Sequence, residues 1–372
     1  MTSKGMADIE ASVDRWMSRR ESMNADERMS EYSRYIGRKV LFIMVCIAAA
    51  VLAAGYDLTI GPYDISIWKT YEVIWNHICG LPVAYSDELV IWTMRLPRIV
   101  TGIIAGFGLA IAGVVMQTIL RNPLADPYTS GVSSGASFGA SLAIGFGLSL
   151  AGAGSLGIVL NAFIFSLIPM AVIVFVSKMR GASPATMIMA GIAVMYIFNA
   201  MTTMIKLWVD ADTLANIFAW SVGTLDVKGW DHILTMFLFT AAAGVLLMLM
   251  SRRLNVLSTG DESARSIGIN ANRLRLVSLF IVSMLTAGIV SFTGLIGFVG
   301  LVCPHIARII VGSDVKYLLP ASGFFGSALL IAADIVGRSV FEGSALQVGV
   351  VTAFIGGPMF LWLIVRQKKE TW

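Results

Sequence analysis

The sequence predicts an all-α polytopic membrane protein, with about ten helices crossing a bilayer in one subunit and both termini cytoplasmic. Three observations carry that prediction. Hydrophobic residues make up 57% of the 372 residues and charged residues 13%, with a mean hydropathy of +0.79, which leaves too few charges to cover a water-exposed globule of that size. Apolar runs of roughly 20 residues, long enough to cross about 30 Å of hydrocarbon, recur along nearly the whole chain after Val40. Lysine and arginine also fall unevenly between alternate connections. With an even number of spans, Arg121, Lys178, Arg180, Arg252, Arg253, Arg265, Arg273, Arg275, Arg308, Lys316, Arg366, Lys368 and Lys369 lie inside. Only Lys69, Arg95, Arg98, Lys206, Lys228 and Arg338 lie outside, as the positive-inside rule requires. The net charge of +4 therefore reads as topology and calls for no nucleic acid partner.

In chain order, residues 1–39 form a charged cytoplasmic extension in which Arg15-Trp16-Met17-Ser18-Arg19-Arg20 lacks the layout of a cleaved signal peptide. A partly disordered or interfacial helix is expected there, with no assigned function. The membrane-spanning body occupies residues 40–366, and 367–372 form a cytoplasmic tail. The expected spans are 40–56, 91–120, 129–150, 156–177, 184–207, 232–251, 274–292, 294–311, 317–337 and 346–365. Outside, the amphipathic piece 65–78 suits a surface helix, and 215–225 suits a short helix after the fifth span. No soluble segment after Tyr56 reaches domain length. Cys46, Cys79 and Cys303 are odd in number and lack CxxC spacing, so neither a disulfide framework nor a zinc site is indicated, and no cofactor is implied.

Four stretches carry chemistry. Arg95-Leu96-Pro97-Arg98 opens the second span, and Arg338 closes the ninth, outside. Arginines at an apolar edge are costly unless they reach water or carboxylates; Asp334, four residues before Arg338 on the same helix, is one such carboxylate. Asn122-Pro123-Leu124-Ala125-Asp126-Pro127 forms an inner turn, because its two prolines prevent either helix from continuing. Gly131, Gly135 and Gly139 repeat every four residues among serines, a pattern that lets membrane helices approach closely. In the inner segment 252–275, Gly260 and Asp261 suit a helix entrance and Ile267-Gly268 an exit. A solvated loop and a short docking helix are both open for it. His305 has no second ligand at metal spacing and reads as a structural hydrogen-bonding group, and the 20 methionines read as adaptable packing.

The order of these blocks is similar to that of a known family. RLPR, NPLADP, GxxxGA, GDESARSIGI, GLIGFVGLVCPHIARIIVG, LLPASG, ADIVGR and VGVVTAFIGGPMFLWL together resemble the FecCD-type permeases of ABC importers for cobalamin, haem and ferric siderophores. The resemblance runs from about Val40 onward. It implies a type II importer permease of ten helices, a homodimer working with two cytoplasmic ATP-binding subunits and an extracytoplasmic binding protein. It implies that Arg95, Arg98 and Arg338 receive acidic residues of the binding protein. It places Asn122 and Leu124 at a cytoplasmic gate facing Pro184 and Ala185, and it makes residues 258–270, with Glu262, Ala264, Arg265 and Gly268, the segment that docks on the ATPase.

Two departures stand out: Pro184 and Ala185 replace the small hydroxyl residues of many relatives, and Ala345-Leu346-Gln347 replaces Glu-Leu-Pro, with Glu342 as a substitute acid. The chain contains no GxxxxGK[ST] phosphate loop, so ATP chemistry falls to a partner. The competing class is an ion-coupled secondary transporter, for which Asp334 is the main candidate acid. A membrane enzyme would need a nucleophile or acid/base cluster, and none is visible in the sequence.

Overall fold

A computed structural model describes residues 25–366 apart from 62, 64, 151, 153, 228 and 341–345. Glu342 and Ala345, the residues before Ala25 and the tail therefore lie outside the described residues. The architecture is all-helical: α1 (Ala25–Asp57), α2 (Ile67–Ile78), α3 (Tyr85–Leu120), α4 (Val132–Phe146), α5 (Ser155–Arg180), α6 (Pro184–Trp208), α7 (Ala211–Ser221), α8 (Asp231–Thr259), α9 (Asp261–Ser266), α10 (Ala271–Thr293), α11 (Val299–Val311), α12 (Val315–Ser339) and α13 (Val348–Arg366). Each of the ten expected spans corresponds to one of these helices. Among the described residues, seven helices are long and apolar enough to cross a membrane by themselves, while α4, α11 and the apolar part of α13 are shorter. No break separates residues 25–39 from the first span, since α1 runs continuously from Ala25. The two expected surface helices are α2 and α7; the second starts four residues earlier than its apolar pattern suggests, because Asp210 caps it by accepting from the Thr213 backbone N–H at 3.0 Å.

The central helix is α3, buried from Ile104 to Leu120 except at Phe107 and flanked by α8, α10, α11 and α12. Lipid gives apolar side chains no reason to leave it, so association depends on close backbone approach. The glycines supply that approach. A Cβ at Gly106 would sit 2.4 Å from the Gly326 carbonyl oxygen of α12, and one at Gly135 of α4 would sit 2.3 Å from the Phe165 oxygen of α5. The Gly131/Gly135/Gly139 repeat is thus a packing face.

The start of α11 shows how irregular backbone is tolerated at membrane depth, where every polar group must find a protein partner. Between α10 and α11 the chain unwinds at residues 294–298. The Tyr128 hydroxyl accepts the Ile296 N–H at 3.0 Å and donates to the Ile296 carbonyl at 2.8 Å, closing both groups of that residue.

Candidate functional site

At the outer end, Pro97 determines the local geometry. It lacks an N–H, and its ring crowds the carbonyl four residues back, that of Thr93. The helix widens into a π stretch at Leu89–Arg95, and the loop before α8 takes the freed acceptors. Gly229 N–H donates to the Thr93 carbonyl at 3.3 Å, and the Trp230 indole N–H donates to the Trp92 carbonyl at 2.9 Å.

The arginines that close this end point inward. Arg95 is 5% exposed and donates to the Leu58 and Tyr63 carbonyls at 2.8 and 2.7 Å. Arg98, its side chain 14% exposed, forms a two-pronged pair with Asp334 through Nε and Nη2 at 2.8 and 2.7 Å, while its third nitrogen, Nη1, lies 3.7 Å from the exposed Asp226. Arg338, 10% exposed, sits 3.2 Å from Asp334, donates to the Ile60 carbonyl at 2.9 Å and pairs with Asp57. Two guanidiniums and two buried carboxylates thus alternate at one place and tie α1, α3 and α12 together. The Arg338–Asp334 pair was legible from its four-residue spacing. Asp57 and the dominant claim of Arg98 on Asp334 were not, because 281 residues separate Asp57 from Arg338 and 236 separate Arg98 from Asp334.

At the inner end, α3 stops at Arg121, whose backbone adopts the left-handed conformation (φ 48°). Asn122 N–H donates to the Gln117 carbonyl at 3.1 Å and Arg121 N–H to that of Thr118 at 3.3 Å, the paired closure of a Schellman end. The Asn122 side chain then accepts the Leu124 N–H at 2.9 Å, which makes the turn rigid and leaves Leu124 exposed. The opposite turn is capped by Ser183, which accepts from Thr186 N–H at 3.1 Å, with Pro184 in the first helical position of α6.

Between these turns and the cytoplasm lies α9. Residues Asp261–Ser266 form the helix, with Gly260 (φ 133°) at one end and Gly268 (φ 81°) at the other. Ile269 N–H to the Ala264 carbonyl (2.8 Å) and Gly268 N–H to that of Arg265 (3.0 Å) complete a second Schellman end. Ala264 is fully buried, whereas Glu262, Arg265, Ile267 and Gly268 are exposed. The segment is therefore a compact helix presenting one face to the cytoplasm, and the solvated-loop alternative does not hold.

Sequence reasoning missed the residue that joins these parts. Arg275, near the start of α10, has 0% exposure. Its guanidinium donates to the Ile119 carbonyl at 3.0 Å, to the Ala182 carbonyl at 3.2 Å and to Asp261 at 2.8 Å, with a second contact to the same carboxylate. Arg121 approaches Asp261 at 3.2 Å. The Arg275 hydrogen bond, followed by the charges of both arginines, holds the Asp261 carboxyl below its ordinary range against a partial burial penalty. The available signal was an arginine inside the apolar run Leu274-Arg275-Leu276-Val277, a placement that requires a partner.

With this geometry described, comparison with known proteins identifies the class. The profile of the FecCD transport family matches residues 43–366, and the chain belongs to that family. It is 39% identical over 355 residues to a protein named as an ABC transporter permease of Methanocaldococcus jannaschii, covering 91% of this chain and 98% of the relative. It is 36% identical over 335 residues to the hemin transport system permease of Yersinia pestis, covering 89% and 97%. Other relatives are named for import of cobalamin, iron(III) citrate and molybdate. Among solved structures, an inward-facing metal-chelate type ABC transporter superposes with a TM-score of 0.77 at 30% identity, covering 87% of this chain and 99% of that one. The protein is a multi-pass permease of the prokaryotic cytoplasmic membrane with type II ABC importer architecture.

Proposed function

We propose that this chain is the membrane subunit of an ATP-driven importer that carries an iron chelate, haem or cobalamin-like compound from an extracytoplasmic binding protein into the cytoplasm. It works as a homodimer with two cytoplasmic ATP-binding subunits. The observation that carries this reading is α9, a rigid helix on glycine joints, exposed on one face and tied on the other to both turns of the inner constriction. Such an element converts a rigid-body movement of a docked subunit into a movement at the gate.

In this scheme Glu262, Arg265 and Gly268 meet the ATPase, and Ala264 seats the helix. Asn122 and Leu124 face Pro184 and Ala185 across the inner gate of the dimer. At the outer rim, Arg98 is the arginine placed to receive carboxylates of the binding protein, because one nitrogen already faces the exposed Asp226. Arg95 and Arg338 keep the rim in shape through their carbonyl and Asp57 contacts.

The ion-coupled alternative gains little support, since Asp334, the acid it would use, is enclosed by two guanidiniums. The test is uptake into proteoliposomes of hemin, cobalamin and a ferric hydroxamate. Uptake of one of them that requires ATP, the ATP-binding subunits and the binding protein is expected. Uptake driven by an ion gradient with this polypeptide alone would overturn the reading.

A further inference from the structure

The inner guanidinium is built to do more than neutralise a charge. Arg275 offers five N–H donors in a fixed fork. The Nε–H goes to Ile119 O, the two Nη1 protons to Ala182 O and Asp261 Oδ2, and an Nη2 proton to Asp261 Oδ1, so four of the five are used. Its acceptors belong to three segments far apart in the chain: the last turn of α3, the turn before α6, and the first residue of α9. Ile119 lies three residues before Asn122, and Ala182 two before Pro184, so each backbone contact falls at the root of one of the two inner turns. The Ile119 carbonyl is also one of the final α3 acceptors that have no partner within their own helix.

We infer that Arg275 is a positioning residue, which transmits displacement of α9 to both inner turns together; this rests on the importer reading above. The helix is free to move as a unit because Gly260 and Gly268 bound it, and inside it is anchored by the buried Ala264 and the Asp261 pair. Moving Asp261 must either drag the Arg275 fork, and with it the Ile119 and Ala182 carbonyls, or strand a buried cation. The second course is strongly disfavoured. Lysine cannot replace this function, since its single nitrogen cannot span three acceptors in fork geometry.

The test uses the reconstituted complex of permease, ATP-binding subunits and binding protein, with three readouts: ATP hydrolysis, uptake per ATP hydrolysed, and thiol labelling of a Leu124→Cys reporter in a cysteine-free background with and without nucleotide. With Arg275→Lys the complex should assemble and hydrolyse ATP. Uptake per ATP should fall by about 2- to 30-fold, the range for residues on a coupling route, and the nucleotide-dependent change in labelling should disappear. If hydrolysis and uptake fall together at an unchanged ratio, or the ratio drops by less than about twofold with labelling still responsive, Arg275 is merely structural and the inference is overturned.

Should the lysine variant fail to assemble, Asp261→Asn keeps an acceptor for Arg275 at a position whose side chain is 27% exposed, and its ratio and labelling decide by the same criteria. A wild-type complex whose uptake ignores ATP would instead refute the importer reading.

Discussion

Replacing Asp334 by Asn removes one charge from an outer cluster that is otherwise balanced. Arg98 and Arg338 supply two positive charges, Asp334 and Asp57 two negative ones, and the arginine side chains are 14% and 10% exposed. The amide keeps the size of the carboxylate and one acceptor oxygen, so the perturbation is chiefly a net positive charge left in a nearly dry site. Breaking a buried pair from one side costs about 3–5 kcal/mol. At roughly 2 °C per kcal/mol, the large-chain end of the usual range, that becomes about 6–10 °C in unfolding temperature. The assay is thermal unfolding of the purified protein in detergent, followed by a double-mutant cycle with Arg98→Gln. Because Arg98 and Asp334 share a two-pronged contact, the paired substitutions should be less harmful than the sum of the single ones by more than about 1 kcal/mol. A shift below about 2 °C, or additivity within about 0.5 kcal/mol, would show that the cluster contributes no more than an exposed ion pair.

Two further outcomes are expected. Gly139→Val places a Cβ 2.4 Å from the Asn161 carbonyl oxygen, where backbone and not a flexible side chain must yield; a loss of about 1–3 kcal/mol in detergent unfolding is expected, and unchanged stability would remove the close α4–α5 approach. The Asp261–Arg275 contact should be insensitive to pH from neutrality down to the ordinary carboxylate range. Because the folded carboxyl titrates below its unfolded value, the contribution is complete above the latter and is lost only as pH falls through the depressed folded value. Proteolysis of the 258–270 segment across a pH series checks this, and a transition near neutral pH would contradict it.

Much of the fold was legible because a bilayer imposes one-dimensional rules. A span needs about 20 apolar residues, cations collect on one side, and proline pairs mark turns. Those rules locate α1, α3, α8, α10 and α12, whereas the start of α7 was misplaced by four residues because its apolar pattern does not show the Asp210 cap. They locate α4 and α11 less well, since these begin only after a 3₁₀ turn and an unwound loop whose groups are satisfied by distant partners such as Tyr128. Within the site, the turn holding Asn122 and Leu124 was readable from its two prolines, whereas the sequence left residues 260–268 open between a solvated loop and a helix, and the tertiary contacts of Asp261 and Ala264 accompany the helix that forms.

The sequence by itself determined which residues are charged, where the chain turns and which side each turn faces. Only the tertiary structure decided what the charges meet. The positive-inside rule counts Arg275 as one more inner cation and places Arg95, Arg98 and Arg338 at an outer edge. Packing instead buries Arg275 among two backbone carbonyls and Asp261, and turns the outer arginines toward Leu58, Tyr63, Asp334 and Asp57. A buried cation must find its acceptors wherever the folded chain provides them, and these acceptors come from segments that no local pattern connects.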